Sequence, residues 1–187
     1  MSTVMESTES EALFMSTREA LTFAFNYADQ QCARSVMAAL YSVRGSGRGL
    51  VGVYGAGEAG MIFADVHRLP QLEQDALCAR FTKVRNECHC CGHEIDTPQV
   101  RESVGNLILY ALQQSPTSNQ NMVRVIVRDF FGLQPMGSGR VVAEQQGVHR
   151  NTVINHVGAI KKALRTLERQ AERRIEKLLT DSGKVRG

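Results

Sequence analysis

The sequence predicts a mainly α-helical bundle that ends in a helix-turn-helix and carries a cysteine-rich insertion able to hold zinc. Three observations predict it. Apolar residues recur at offsets of three and four along most of the chain. A glycine-centred break at Gly147 separates two such stretches near the C-terminal end. Cys88, Cys90 and Cys91, three of the five cysteines, crowd into one short polar run between helical stretches.

At 187 residues and 43% apolar composition, the chain suffices for one large or two small domains with a core of ordinary size. No run of about 18 apolar residues occurs, and the first residues, MSTVMESTESE, are polar and acidic. The expectation is a cytoplasmic protein without a membrane span or signal peptide. The crowded cysteines suit a reducing compartment with thiol or metal chemistry better than a disulfide frame. Net charge is only +3, yet residues 140–187 carry 11 Lys/Arg against 5 Asp/Glu, and residues 1–139 carry 11 against 14. Basic charge is therefore concentrated at the C-terminal end.

The first helix is expected from Ser16, because Ser16-Thr17-Arg18-Glu19 has capping-box spacing and Leu21, Ala24, Phe25 and Ala28 follow at helical offsets. Val36, Met37, Ala39 and Leu40 predict that helix resumes before Gly45. Residues Arg44 to Gly60 read as a glycine-rich loop ending in a helix start. Within it, Gly55-Ala56-Gly57-Glu58-Ala59-Gly60 matches the G-x-G-x-x-G dinucleotide fingerprint, with Leu50 to Tyr54 as a candidate strand. No second strand signal follows between Met61 and Leu179, so nucleotide binding is the lesser alternative. Two helices are predicted over Met61 to Leu69 and Leu72 to Phe81, with Pro70 where a first turn tolerates a missing amide hydrogen.

Cys88-His89-Cys90-Cys91-Gly92-His93 follows, and Cys88-x-x-Cys91-Gly92 has the form of a zinc knuckle. Candidate ligands are Cys88, Cys90, Cys91 and His93, with Cys78 farther off; the alternative is a loop of uncoordinated thiols. A metal here would be structural, stapling a segment with few apolar residues of its own. Amphipathic helices are then expected over Pro98 to Leu112 and Met122 to Phe131, joined by the loop Ser115 to Asn121. Val123 to Val127 has strand propensity, but a lone strand has nothing to pair with.

At the C-terminal end, Val141, Val142 and Ala143 form the apolar side of a short helix, and Gly147-Val148 a tight turn. Arg150-Asn151-Thr152 open a second helix with Val153, Val157 and Ile160 inward and Thr152, Asn155 and His156 on the opposite face. Helix, glycine turn and polar second helix together point to DNA reading; an ordinary helical hairpin is the alternative. Arg150, Asn151, Asn155 and His156 are placed to carry sequence preference, Arg140, His149 and Thr152 lie beside them, and Lys161, Lys162 and Arg165 would meet the phosphate backbone. Leu164, Leu167, Ala171, Ile175 and Leu178 extend the second helix into one long amphipathic helix, which packs back on the N-terminal helices or pairs with another chain as a homo-oligomer. Beyond about Leu167 its charges read as a solvated face.

The segments divide as 1–56, an N-terminal helical part with the glycine-rich loop; 57–82, a helical hairpin; 83–138, the cysteine-rich insertion and helices; and 139–187, the helix-turn-helix with its long basic helix. Leu69-Pro70 followed by Leu72, Ala76, Leu77, Arg80 and Phe81 resembles the first helix of the sigma-factor region 4 module, here separated by about 58 residues from its helix-turn-helix. The arrangement over roughly Gly57 to Leu179 resembles the late-gene antitermination protein Q family of lambdoid and related phages. That resemblance implies binding to double-stranded DNA at a late promoter, engagement of bacterial RNA polymerase paused downstream, and read-through of terminators. It departs from the family in its compact cysteine cluster and in the glycine-rich segment. A plain repressor or activator is the second reading. An enzyme is not expected, since His67, His89, His93, His149 and His156 are scattered and no carboxylate pair is placed for acid/base work.

Overall fold

Helix-forming stretches dominate the computed structural model, which describes residues 12–32, 53–82, 85–87, 90–92, 94–115 and 117–186. Helix α1 spans Thr17–Cys32. Its entry is the expected capping box displaced by one residue: Ser16 Oγ accepts from the Glu19 amide at 3.2 Å, while the Glu19 carboxylate accepts from the amide of Met15 at 2.9 Å. Leu21, Ala24 and Phe25 are buried as their spacing predicts. The helix expected over Val36 to Leu40 lies outside the described residues, as does the side chain of Ala28.

Helix α2, Val53–Val66, corrects the reading of Gly55 to Gly60 as a loop, because all three glycines of the fingerprint lie inside it. The reason is tertiary. Each glycine costs a helix about 1 kcal/mol relative to alanine, but Ala59, Ile62 and Val66 are buried and Phe63 packs edge-on against Phe25 at 5.0 Å. That burial outweighs propensity. Gly57 and Gly60 lie past the first turn, where backbone amides are committed to the helix's own carbonyls.

Helix α3, Gln71–Phe81, begins at Pro70, whose carbonyl accepts from the amides of Glu73 and Gln74 at 2.9 and 3.1 Å. Almost every side of α3 is covered, and its acids are buried with partners. Glu73 takes Arg174 at 2.7 Å, and Asp75 takes Gln71 at 3.2 Å and Asn106 at 3.0 Å. A two-stranded antiparallel hairpin follows, β1 (Arg85–Glu87) against β2 (Glu94–Asp96), with Arg85 opposite Asp96. This corrects the expectation of no strand beyond Met61. Three-residue strands with Ile95 as their one aliphatic side chain are too short and polar to show a period of two.

Helices α4 (Pro98–Gln113) and α5 (Gln120–Phe130) are capped by Thr97 and Asn119, whose side chains accept from the amides of Val100 and Met122. Met122, Val123, Ile126 and Val127 are buried together on α5, so the β-branched run is a helix with one apolar face. Helix α6 spans Gly139–Gln146 and α7 spans Arg150–Asp181. Val153, Ile160, Leu164, Leu167, Ala171, Ile175 and Leu179 form the buried stripe of α7, and Leu179, rather than Leu178, occupies its last position. The stripe faces α1, α2, α3, α4 and α5, so the long helix packs back on the rest of the chain. Beyond it, Lys184 Nζ reaches the buried Asp65 at 2.8 Å, and Phe14 bridges Val185. Buried residues from all four sequence segments join one core.

Arg80 ties three helices at the centre of this packing. Its guanidinium lies 5.2 and 5.1 Å from the ring centres of Phe130 and Phe131 and bonds the carboxylate of Glu168. Removing it strips a cation from two aromatic faces and leaves Glu168, itself only 15% exposed, without its partner. Arg80→Ala is expected to cost about 2 kcal/mol, and Arg80→Lys to recover less than half of that because an ammonium cannot stack and fork at once. Thermal unfolding of the three proteins measures both; equal stability of the Ala variant and the parent would refute the role.

Candidate nucleic-acid interface

The two C-terminal helices meet through a turn built by residue type. Ser138 Oγ accepts from the amide of Val141 at 3.3 Å and starts α6, whose Val142 and Ala143 are buried. Gly147 then stands at φ +63°, where a side chain would be strained, and Val148 donates back to the Ala143 carbonyl at 3.0 Å. His149 caps α7, its Nδ1 accepting from the amide of Asn151 at 3.3 Å. The left-handed glycine expected at this turn is thus present, and His149 is taken up in part by the cap.

An ion pair holds the first half of α7 against α5. Lys161 Nζ donates to Asp129 Oδ2 at 2.6 Å, and the other oxygen of Asp129 accepts from the Met136 amide at 3.0 Å. One carboxylate therefore joins α5, the lead-in to α6 and the side of α7. His156 is half-buried, its Nδ1 3.4 Å from Ser115 Oγ in the loop before α5. His156 is therefore drawn off the outward face expected of it from the sequence, and Lys161, expected to meet phosphates, is paired with Asp129.

The open face comprises Arg150, Asn151, Ile154, Asn155, Gly158, Lys162 and Arg165, all exposed, with Thr152 also exposed beside them. Asn151, Asn155, Gly158, Lys162 and Arg165 succeed one another in steps of four and three, a stripe opposite the buried one. Arg140 is exposed on α6 and pairs with Glu144 of the same helix at 3.0 Å. Charge along α7 is segregated. Residues 150–167 hold Arg150, Lys161, Lys162 and Arg165 and no acid, whereas residues 168–181 hold four of each sign. The positive field of the C-terminal region therefore centres on the first half of α7.

The cysteine run sits at the hairpin tip. Cys90 and Cys91 are exposed, and Gly92 follows at φ +68°, the turn a knuckle requires. Cys88 and His93 lie outside the described residues. Cys78 is buried in α3 with its Sγ 3.6 Å from Thr82 Oγ1. Among the described residues, no three His, Cys, Asp or Glu side chains are grouped to hold a metal ion, and no helix is long and apolar enough to cross a membrane.

Sequence reasoning missed Asp129, Ile154 and Gly158. Asp129 carries no local signature, since its partners lie at positions 136 and 161. Ile154 follows a core valine and reads as core; only its 51% exposure sets it apart. In comparisons with known proteins, neither a family model nor a curated protein matches this chain.

The hydrogen bond from Lys161, then the Met136 amide, hold the Asp129 carboxyl below its ordinary value of 3.8 against the opposing effect of burial. A depressed folded pKa means that this contribution is present above the unfolded value and lost as pH falls through the folded one. The stability gap between the parent and Asp129→Asn should therefore stay constant from about pH 7 to 5 and close in stronger acid. Melting temperatures across that range check it; a gap that widens in acid would reverse the sign of the argument.

Proposed function

We propose that this chain is a DNA-binding transcription regulator of the phage late-gene antiterminator kind, which holds promoter-proximal duplex through α6 and α7 and acts on bacterial RNA polymerase. The observation that carries the DNA-binding reading is the pairing of a left-handed glycine turn with an acid-free first half of α7, whose exposed face bears Arg150, Asn151 and Asn155. Arg and Asn can each make two hydrogen bonds to guanine and adenine edges in a major groove. Lys162 and Arg165, two to four turns farther, would meet phosphates, while Lys161 pairs with Asp129. Action on polymerase rests on the resemblance of the Leu69 to Phe81 helix and the helix-turn-helix to sigma-type modules. The second part of the proposal is a structural zinc. Exposed Cys91 followed by a left-handed Gly92 suits the Cys88-x-x-Cys91 knuckle, and Cys90 and His93 would help to complete the site, stapling the tip of the hairpin that Arg128 ties to α5 through Asp96.

Affinity for duplex DNA, read by fluorescence anisotropy, should fall by about 0.9 log unit per log unit of salt for each phosphate contact. Asn155→Ala should cost about 1–3 kcal/mol on a preferred duplex and little on a scrambled one, whereas Lys162→Ala should weaken both alike. Salt-independent binding would defeat the DNA reading, and uniform losses from both substitutions would show the reading face to be elsewhere. Core polymerase should be retained by the protein only if it is an antiterminator; a plain repressor or activator binds DNA and leaves it in solution. Elemental analysis of protein purified without added metal should give about one zinc per chain, released in acid as the thiolates take up protons. A value near zero would remove the metal from the proposal.

A further inference from the structure

Ile154 is an aliphatic side chain, 51% exposed, in the middle of a hydrogen-bonding face. Its predecessor Val153 is wholly buried, so the helix turns one apolar residue into the core and the next one out. Arg150 precedes it by one turn, Asn151 lies beside that residue, Asn155 is adjacent, and Gly158 follows one turn on. Gly158 costs the helix about 1 kcal/mol relative to alanine, yet a Cβ at that position would meet nothing within 4 Å. Packing inside the chain therefore gives no reason for a bare backbone there. A reason from outside is close approach by another body, with Ile154 reaching into it and Gly158 making room.

We infer that Ile154 is a base-reading residue that packs on the 5-methyl group of thymine, with Gly158 clearing the approach of α7 to the groove. This rests on the proposed DNA binding and names the base feature it reads. The major groove sets apolar methyls among donors and acceptors, which matches an isoleucine set among Arg150, Asn151 and Asn155. The absence of acids between residues 150 and 167 favours a polyanion over an acid-recognising protein as the body that covers the patch.

The test uses the full chain and a pool of duplexes randomised over about 20 base pairs, enough for one or two half-sites. Recovered duplexes are resynthesised with deoxyuridine at one thymine at a time, which removes the methyl and keeps the pairing. At one position the exchange should weaken the parent about fourfold, the factor for roughly 0.8 kcal/mol per buried methylene-sized group. Ile154→Ala should bind the thymine duplex about as weakly and be indifferent to the exchange there. Gly158→Ala should melt at a higher temperature than the parent while binding the same duplex less tightly. If deoxyuridine is tolerated at every position, or Ile154→Ala keeps the full penalty, the inference fails although DNA binding stands. If no sequence is enriched and binding ignores salt, the DNA reading fails with it. If Ile154→Ala leaves DNA affinity untouched but lowers retention of core polymerase, the patch belongs to a protein partner and the inference is overturned.

Discussion

The apolar stripe of α7 is the constraint on which the fold depends. Val153, Ile160, Leu164, Leu167, Ile175 and Leu179 are each at least nine-tenths buried, and full burial of such a side chain contributes about 1.5–3 kcal/mol. A domain's net stability is only about 5–15 kcal/mol. Stripping α7 away would therefore unfold the whole, and the helix that offers the open face is also the spine of the core. It is tied along its length by Lys161 on Asp129, Glu168 on Arg80 and Arg174 on Glu73.

Those same pairs decide where charge is available. Lys161, Arg174 and Lys184 belong to the basic C-terminal region but face buried or half-buried acids. Arg150, Lys162 and Arg165 have no ion-pair partner among the described residues, and they cluster on the first half of the helix. Counting residues overstates the field of the second half, where alternating signs cancel, and understates its concentration in the first.

Most of the helices were legible in the sequence because caps and periodicity are local properties. Ser16 was announced by its capping-box spacing, whereas Thr97, Asn119 and Ser138 cap helices that periodicity alone had indicated. The turn at Gly147 was legible for the same reason, since few residues other than glycine tolerate φ +63°. What was not legible depends on distance in the chain. Whether Gly55 to Gly60 is loop or helix is decided by Phe25 and the burial of Ile62, not by the glycines. Lys161 reads as a free cation until Asp129, 32 residues earlier, is placed beside it. Periodicity set Thr152, Asn155 and His156 outward together, yet His156 is half-buried beside Ser115 while the other two are exposed.

The junction of Phe14 with Val185 has a consequence for synthesis. Helices α1 to α5 leave the ribosome before α7, which packs against all of them, so the surface that α7 covers is open to water until then. At about 5–20 residues per second, the nascent chain carries that uncovered surface for several seconds while residues 139–186 are made. The core then closes in one step with α7, so products of translation cut short before it would be sticky and short-lived.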